Sequence, residues 1–456
     1  MIDIKLIREQ REYVKKEMEK LFVSVPIDEI FELDESKRKL LYDSECLRNT
    51  RKTLSKEIAS EKDGEVISAK KNEVNKVNEL IKVQEDELNA IEERLNSLML
   101  NVPNLPDPDV PVGKDETGNT AVSYFNERKK FNFELKTHYE IGQKRDLIDF
   151  ERGVKISGTR FYILKKGLAK LQRALINFML DVHITYHDYE EIYPPFMVNE
   201  ECLTGTGQLP KFSDNLYKDD DSGLWFVPTA EVPVTNMYRN EVFDIDKLPI
   251  KHAAYTACFR KERLSAGKDT KGIKRGHQFD KVELVKITTP ETAKEELSSL
   301  IADAQDILNR LDIPHRLVRI CTGDLSFTAS EKFDIEVYAP GINEWLEVSS
   351  CSNFGSFQAR RANIKFKRDK KSKAEFVSTL NGSGLALPRV MIAIIENYQT
   401  EDGYIKIPDA LKPYFATEEF KNFIYGNGNE KLFHLLFDVF SLVPDKFNVY
   451  HFLIII

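Results

Sequence analysis

The sequence lacks the features that would place it in a membrane or among disulfide-rich secreted proteins. No apolar run reaches the ~18 residues that suggest a membrane-spanning helix. The N-terminus is charged from Asp3 onward and has no apolar signal region. The five cysteines are scattered without a CxxC pair, which argues against both a disulfide framework and a zinc cluster. We therefore expect a cytoplasmic protein with reduced thiols and no membrane association.

An excess of positive charge is also absent. The 456 residues include 66 Lys and Arg against 74 Asp and Glu, for a formal net charge of −8. This total argues against a protein that binds polyanions over its whole surface. It is compatible with nucleic-acid binding through local basic patches. The length exceeds one typical core, so we expect two or more domains.

The first hundred residues have the pattern of a helical hairpin. Met1 to Phe22 carries apolar residues at helical spacing, which predicts one short helix that ends before Pro26. Leucines recur every seven residues over Ile27–Ser60, and 66–99 has the apolar spacing of a coiled coil, with Gln84 at its one polar core position. A short turn between two such helices predicts an antiparallel arm of roughly 50 Å.

Basic side chains of this arm have two possible roles. Charges outside a coiled-coil seam are usually only solvated, whereas an RNA-binding arm would use them to contact phosphates. The pattern by itself does not decide between these roles. The residues concerned are Arg48, Arg51, Lys52, Lys56, Lys70, Lys71 and Lys76.

Composition divides the rest of the chain. The proline-rich segment 101–118 cannot continue a helix, and it predicts a linker between the arm and a main domain at 119–415. The tail 416–456 is apolar around Leu432 to Val443 and again at its end, but it is too short for a membrane span. A packed helix, a partner-binding segment and sequence from a faulty gene end all stay open for this tail.

The stretch Ala257 to Glu283 carries the strongest signal for function. Strand periodicity places Arg260 and Glu262 on one face of its first segment. The same periodicity places Phe279 and Glu283 on one face of its second segment, beyond a loop rich in Gly, Lys and Arg. This combination suits a nucleotide site. An Arg can bind phosphate through two hydrogen bonds, an aromatic ring can stack on a base, and cations of the loop can contact nucleic acid. An ordinary hairpin with a solvated loop fits the same pattern.

Four spaced blocks resemble the class II aminoacyl-tRNA synthetases in their seryl form. F-R-x-E, a long loop and H-Q-F-x-K-V-E resemble motif 2, and the helix and strand before Pro194-Pro195 resemble motif 1, the dimer-forming element. The similarity extends from about Met1 to Phe415 and leaves only the tail uncovered. The other blocks are Thr229-Ala230-Glu231, Glu347-Val348-Ser349-Ser350, and Asn381-Gly382-Ser383-Gly384 leading to Arg389.

The resemblance implies an α+β fold: an antiparallel class II sheet flanked by helices, preceded by an antiparallel coiled-coil arm. It implies a tRNA-binding arm at 1–100, a linker at 101–118 and a catalytic domain at 119–415. It also implies a homodimer that activates L-serine with ATP and transfers the seryl group to the 3′-terminal adenosine of tRNA(Ser). The arm and the 264–276 loop would hold the tRNA. Whether tRNA(Sec) is also charged stays open.

The resemblance also assigns residues to ATP. Arg260 would contact the α-phosphate and the substrate carboxylate, and Phe279 would stack on the adenine whose amino group Glu262 binds. Arg389, at the start of a predicted helix 387–399, would hold the γ-phosphate or the opposite face of the nucleotide. A surface salt bridge is the usual alternative for an isolated Arg. The complete nucleotide set is Arg260, Lys261, Glu262, Phe279, Glu347, Val348, Ser349, Ser350 and Arg389.

Glu347 and Ser350 match family positions that hold Mg²⁺, a hard ion suited by carboxylate and hydroxyl oxygens. They are three residues apart, so a regular strand would place them on opposite faces. We therefore expect a bulge or a strand end between them. A structural carboxylate at a strand edge is the alternative for Glu347.

The serine pocket follows from the same resemblance. Glu283 would pair with the substrate hydroxyl, with Ser383 nearby, and a site built in this way rejects alanine. Thr229 and Glu231, expected on one strand face, would hold the ammonium group. Any one of these residues could instead be a satisfied buried polar group. The serine set is Thr229, Ala230, Glu231, Arg260, Glu283 and Ser383.

Two other functions are weighed against this one. A related adenylate-forming enzyme would load an amino acid on a carrier protein, but the intact arm argues against it. A non-catalytic RNA-binding or scaffold paralogue would not need the complete set of site residues. His277 matches no metal-ligand spacing, so we interpret it as structural. Pro388 stands where bacterial relatives commonly have glycine, a departure that bears on the helix geometry at Arg389.

Overall fold

The computed structural model describes residues 1–263 and 271–415. Part of the predicted basic loop, 264–270, and the predicted tail, 416–456, lie outside the described residues. The helices of the described chain are α1 (Ile4–Glu9), α2 (Arg11–Lys20), α3 (Ile27–Ser60), α4 (Gly64–Leu100), α5 (His138–Lys144), α6 (Phe150–Ser157), α7 (Lys166–Tyr186), α8 (Glu200–Thr206), α9 (Glu231–Asn236), α10 (Ala293–Arg310), α11 (Phe357–Ala362) and α12 (Leu387–Asn397).

The strands of the same residues are β1 (Thr120–Phe125), β2 (Ile148–Asp149), β3 (Ile163–Leu164), β4 (Glu190–Ile192), β5 (Met197–Val198), β6 (Trp225–Phe226), β7 (Val242–Asp244), β8 (Ile250–Phe259), β9 (Gln278–Thr288), β10 (His315–Arg319), β11 (Glu331–Ala339), β12 (Glu344–Asn353), β13 (Lys365–Lys367), β14 (Glu375–Phe376) and β15 (Ser378–Ala386).

The predicted helical hairpin is confirmed. Helices α3 and α4 pack along each other, and Leu54, Val77 and Ile81 are buried between them. Asp63 caps α4 by accepting hydrogen bonds from the backbone of its first turn. Gln84 lies in the seam, as its heptad position predicts, and its Oε1 is buried without a hydrogen-bond partner in the described chain.

The prediction of a single helix before Pro26 is wrong. The chain forms α1 and α2 there, and they are separated by Gln10, whose backbone is not helical (φ −137°, ψ 46°). The break lets both helices pack on α3, with Ile7 and Val14 fully buried in one cluster. Tertiary packing therefore overrides a helical period that was continuous in the sequence.

An eight-stranded sheet forms the main domain, in the order β1-β10-β11-β12-β15-β9-β8-β4. All neighbouring pairs are antiparallel except β4 with β8. Helices α7, α10 and α12 contribute to the core cluster on one side of this sheet, where Leu171, Ile307 and Ile394 are fully buried. Each such side chain contributes about 1.5–3 kcal/mol by leaving water. The predicted α+β class is confirmed.

The predicted linker lies on the main domain. Asn104 donates from Nδ2 to the carbonyls of Thr328 at 2.9 Å and Phe354 at 2.8 Å. The hydrophobic cluster that contains Ile7 and Val14 of the arm also includes Phe327 and Phe357 of the main domain. The arm is therefore attached to the sheet through packed contacts as well as through the chain. Among the described helices, none is long and apolar enough to cross a membrane.

Candidate functional site

A cavity of about 310 Å³ opens on the face of β9 that is directed away from the main core. Alternation along β9 explains its floor: Lys281 and Glu283 line the cavity, whereas Val282 and Leu284 belong to the core beneath. The lining residues are Gly207, Gln208, Phe212, Thr229, Glu231, Arg260, Glu262, Lys274, Arg275, Gly276, Phe279, Lys281, Glu283, Ser326, Phe327, Thr328, Glu347, Val348, Ser350, Ser352, Phe354, Asn381, Ser383, Ala386, Pro388 and Arg389.

Arg260 and Phe279 form one wall. The guanidinium carbon of Arg260 lies 5.1 Å from the centre of the Phe279 ring, and its Nε donates to the Pro228 carbonyl at 3.2 Å. The backbone N–H of Arg260 donates to the carbonyl of His277 at 2.9 Å. His277 also approaches the Arg260 carbonyl through Nδ1 at 3.0 Å, which agrees with the structural role predicted for it.

The predicted strand alternation around Arg260 is wrong. Strand β8 ends at Phe259, and Glu262 adopts a left-handed backbone with φ of 50°. This turn brings Glu262 to the cavity wall, where its Oε2 lies 3.6 Å from Nη1 of Arg275. A left-handed backbone at a residue other than glycine is uncommon and is enriched at functional sites.

At the other end of the cavity, Asn381 bridges two buried carboxylates. Its Nδ2 donates to Glu231 Oε2 at 2.9 Å and to Glu283 Oε1 at 3.0 Å. Gln358 donates from Nε2 to the other oxygen of Glu231 at 2.6 Å, and its own carbonyl accepts from Thr379 at 2.7 Å. These bonds fix two acceptor groups in one orientation at the closed end of the cavity.

Thr229 and Glu231 do not share a strand face, so that prediction is also wrong. Glu231 begins helix α9, and its backbone N–H donates to Thr229 Oγ1 at 3.2 Å. The turn into the helix still directs both side chains to the cavity.

The two carboxylates differ in their surroundings. Burial raises the pKa of Glu231 to about 7, and the negative charge of Glu283 adds to the effect. Glu283, itself fully buried, is ion-paired with Lys281. Glu231 is therefore the carboxyl group whose charge an incoming cation would stabilise most.

A bulge in β12 resolves the spacing of Glu347 and Ser350. Ser349 pairs with Ile335, and Glu347 pairs with the next residue, Glu336, so that Val348 is the extra residue on β12. Glu347 and Ser350 consequently both line the cavity. The expectation of a bulge or a strand end is met by a bulge.

Arg389 contacts the same strand. It stands in the first turn of α12 after Pro388, and its Nη1 donates to the Glu347 carbonyl at 2.6 Å and lies 3.6 Å from Oε1 of that residue. Burial opposes the ionisation of Glu347, but Arg389 and Lys332 outweigh it and lower the pKa of this carboxyl. Pro388 suits the first helical turn, where a missing N–H leaves no bond unmade.

Oxygen donors and cations at this wall fit a bound Mg²⁺ with phosphates. Glu347 offers a carboxylate and Ser350 a hydroxyl, the ligand types that this ion takes while it keeps several waters. The described residues contain no group of three or more His, Cys, Asp or Glu able to hold a metal by themselves. The ion would therefore need oxygens from water and from a ligand.

Three of the predicted residues do not line the cavity. Ala230 is fully buried in a small apolar cluster, and Ser349 is directed at Cys351 Sγ, 3.4 Å from its hydroxyl. Lys261 places its Nζ 5.4 Å from the Tyr217 ring. The remaining predicted residues surround the one cavity, although their individual roles stay predictions.

Sequence reasoning missed several contributors to the cavity. Lys281 lies on the predicted cavity face of β9, and Asn381 begins the Asn381-Gly382-Ser383-Gly384 block, so both had a usable signal. Gln358 had no usable signal, because it lies 127 residues from Glu231 along the chain and only the fold brings the two together. Lys274 and Arg275 belong to the predicted basic loop, but the pattern of that loop gives them no position in a cavity.

The chain matches two family models: the seryl-tRNA synthetase N-terminal domain over residues 1–106, and the class II tRNA synthetase core domain (G, H, P, S and T) over residues 212–398. A serine–tRNA ligase of Thermomicrobium roseum is 54% identical over 92% of this chain and 94% of its own length.

Two solved structures resemble this chain over 91% of its length. Seryl-tRNA synthetase of Pyrococcus horikoshii, in complex with ATP, has a TM-score of 0.85 and 36% identity over 91% of this chain and 98% of that one. The cytoplasmic serine–tRNA ligase of Naegleria fowleri, in complex with AMP, has a TM-score of 0.81 and 31% identity over 91% of this chain and 97% of its own.

Proposed function

The chain belongs to the seryl-tRNA synthetase family, and we propose that it activates serine with ATP and passes the seryl group to tRNA(Ser) through the cavity described above. The observation that carries this proposal is one cavity with two chemically distinct ends. One end has the buried pair Glu231 and Glu283, and the other has Arg260, Phe279 and Arg389. The first end suits a small polar cation and the second suits a nucleotide.

Serine would bind at the closed end. The carboxylate of Glu231 would receive the ammonium group, with Thr229 beside it, and Glu283 would accept the substrate hydroxyl. Asn381 holds both carboxylates in place. Alanine would leave the buried Glu283 without this partner, which is the arrangement that rejects an analogue most strongly.

ATP would bind at the open end. Its adenine would lie against Phe279, with the exocyclic amino group donating to Glu262, and its phosphates would face Arg260 and Arg389. An oxygen of the serine carboxylate then attacks the α-phosphorus, and the bond to the β-phosphate oxygen breaks as pyrophosphate leaves. Arg260 would stabilise the charge that develops at the α-phosphate. Holding both reactants in one cavity supplies much of the remaining acceleration.

Glu347 and Ser350 would hold Mg²⁺ in this reaction. When bound, the ion would neutralise part of the negative charge of the phosphates. Arg389, whose side chain contacts Glu347, would neutralise part of the same charge directly.

In the second step, a ribose hydroxyl of the terminal adenosine attacks the seryl carbonyl, and AMP leaves. The arm formed by α3 and α4 would hold the body of the tRNA. Arg48 and Lys70 are paired with Glu85 and Glu57 across the hairpin. Arg51 donates from Nη1 to Asn78 Oδ1 at 3.3 Å. Of the seven arm cations named above, the other four would be the freest to contact phosphates: Lys52, Lys56, Lys71 and Lys76.

A homodimer would form through the end of the sheet. Strand β4 is an edge strand, and the aromatic residues that flank it, Tyr186 and Tyr193, are 63% and 78% exposed. Large exposed rings beside an unpaired edge favour a protein partner. Light scattering after size exclusion should give the mass of two chains.

Serine-dependent exchange of pyrophosphate into ATP tests the activation step, and charging of tRNA(Ser) tests the transfer. Exchange without charging would favour an enzyme that loads a carrier protein, and the absence of both would favour a non-catalytic paralogue. Glu283→Ala should lose most of the preference for serine over alanine while ATP still binds. Unchanged preference would remove Glu283 from its proposed role.

A further inference from the structure

A buried histidine–glutamate pair lies behind the loop that lines the nucleotide end of the cavity. His138, the first residue of α5, is 1% exposed, and Glu396 near the end of α12 is fully buried. The Glu396 carboxylate accepts from the N–H groups of His138 (2.9 Å), Gly341 (2.8 Å) and Ile342 (3.1 Å), and it lies 2.8 Å from Nδ1 of His138.

The tautomer of His138 follows from these partners. An oxygen of the Glu396 carboxylate faces Nδ1 and can only accept, so the tautomer that makes this hydrogen bond carries its proton on Nδ1. In that tautomer the lone pair of the imidazole lies on Nε2. The backbone N–H of Ile273 points at that atom, with a separation of 3.4 Å.

Ile273 and Gly272 are adapted to this contact. Ile273 is fully buried within the main core, so the segment is anchored by its side chain as well as by its N–H. Gly272 has φ of +76°, and a Cβ on it would lie 2.1 Å from Nε2 of His138. A side chain at this position would thus be strained and would also displace the imidazole ring.

The two residues that follow the anchor carry charges to the cavity. Lys274 and Arg275 both line it, and Lys274 is ion-paired with Glu344 at the start of β12. Nη1 of Arg275 lies 3.6 Å from Oε2 of Glu262, which also lines the cavity. A shift of the backbone at Ile273 would move both cations, because they are its immediate neighbours.

We propose that His138 is a positioning residue for nucleotide binding: its Nε2 holds the backbone of Ile273, and thereby the place of Lys274 and Arg275 at the phosphate side of the cavity. The identity of the nucleotide as ATP rests on the proposed function. His138 touches no substrate, so its effect must pass through the loop.

Two substitutions separate this role from simple support of Glu396. His138→Asn keeps a donor near the place of Nδ1 but cannot reach Ile273, whereas His138→Gln places an acceptor near Nε2. Binding of ATP with Mg²⁺ and binding of serine are measured separately by calorimetry, with the melting temperature of each variant. We expect the Kd for ATP to rise about tenfold or more in His138→Asn. We expect His138→Gln to recover most of that loss, and the Kd for serine to change by less than about twofold in both.

A glycine pair gives an independent test with a matched control. Gly272→Ala combines backbone strain with a collision against His138, whereas Gly403→Ala, at φ of +77° with no atom within 4 Å of the new Cβ, has the strain alone. We expect Gly272→Ala to weaken ATP binding as His138→Asn does, and Gly403→Ala to leave it unchanged.

The proposal is overturned if folded His138→Asn and Gly272→Ala bind ATP as the unaltered chain does. It is equally overturned if His138→Gln is no better than His138→Asn, or if serine binding weakens as much as ATP binding. The proposed function fails in a different way: the unaltered chain would then bind ATP without serine-dependent exchange, and the ATP measurements on the variants would still decide the role of His138.

Discussion

Serine binding should be coupled to the release of a proton from Glu231. This side chain is 5% exposed, and burial together with the charge of Glu283 raises its pKa to about 7. An ammonium group bound beside it would favour the ionised form and lower that pKa. At a pH below about 7, serine must therefore displace a proton, and its affinity should fall.

The magnitude follows from the pKa. If only the carboxylate form binds serine, nine-tenths of the sites are unavailable at pH 6 and about one-tenth at pH 8, for a pKa of about 7. The Kd for serine should thus be about tenfold higher at pH 6 than at pH 8, which is a difference of about 1.4 kcal/mol in binding free energy. The number of protons released per serine should fall from about 0.9 at pH 6 to about 0.1 at pH 8.

The raised pKa of Glu231 has the opposite effect on stability: without serine, the free energy of unfolding should fall as the pH rises, whereas the affinity for serine should rise. Because the pKa of Glu231 is raised from 4.5 to about 7, the folded state holds this proton more tightly than the unfolded state does. The contribution of Glu231 to the free energy of unfolding should therefore decrease as the pH rises through this window, by up to about 3 kcal/mol. Bound serine should restore part of this lost free energy of unfolding above pH 7.

Calorimetry in two buffers of different ionisation enthalpy measures the proton release directly. Glu231→Gln is the control and should abolish the pH dependence, while Glu283→Gln should shift its midpoint to lower pH by removing the neighbouring charge. A serine affinity that is flat between pH 6 and 8, with no proton released, would refute the reasoning.

Three further predictions concern other parts of the chain. Arg260→Ala or Arg389→Ala should each remove roughly 2–4 kcal/mol of transition-state stabilisation in pyrophosphate exchange; a wild-type rate in either would contradict the phosphate assignment. Replacement of residues 27–99 by a short loop should leave exchange near normal and sharply reduce tRNA charging, and charging by the intact chain should weaken as salt rises; equal charging by both forms would make the arm a structural appendage. Deletion of 416–456 should leave exchange largely intact, and its loss in a folded truncation would assign the tail to the catalytic domain.

The arm and the long strands could be predicted because their signals are local. Heptad spacing predicted α3 with the bounds observed, Ile27–Ser60, and strand alternation predicted the cavity face of β9. The break at Gln10 has no proline or glycine to announce it. It follows from packing against α3, which is a contact that no local pattern encodes.

The closed end of the cavity was harder to predict for the same reason. Glu231 is fixed by Gln358 and Asn381, which are 127 and 150 residues away along the chain. A triplet such as Thr229-Ala230-Glu231 is too short to distinguish a strand from the first turn of a helix. The resemblance located these residues, whereas their local conformation depends on partners that only the fold brings near.

The bulge at Val348 was partly predictable, because the sequence contains a local signal for an irregularity in β12. Leu346 and Val348 keep the two-residue period of a strand, but the next buried apolar side chain is Cys351, one position out of phase. One extra residue in the strand restores the phase, and it also carries Ser350 to the face of Glu347. The device that keeps the apolar side chains in the core therefore also aligns the two oxygen donors on one rigid strand.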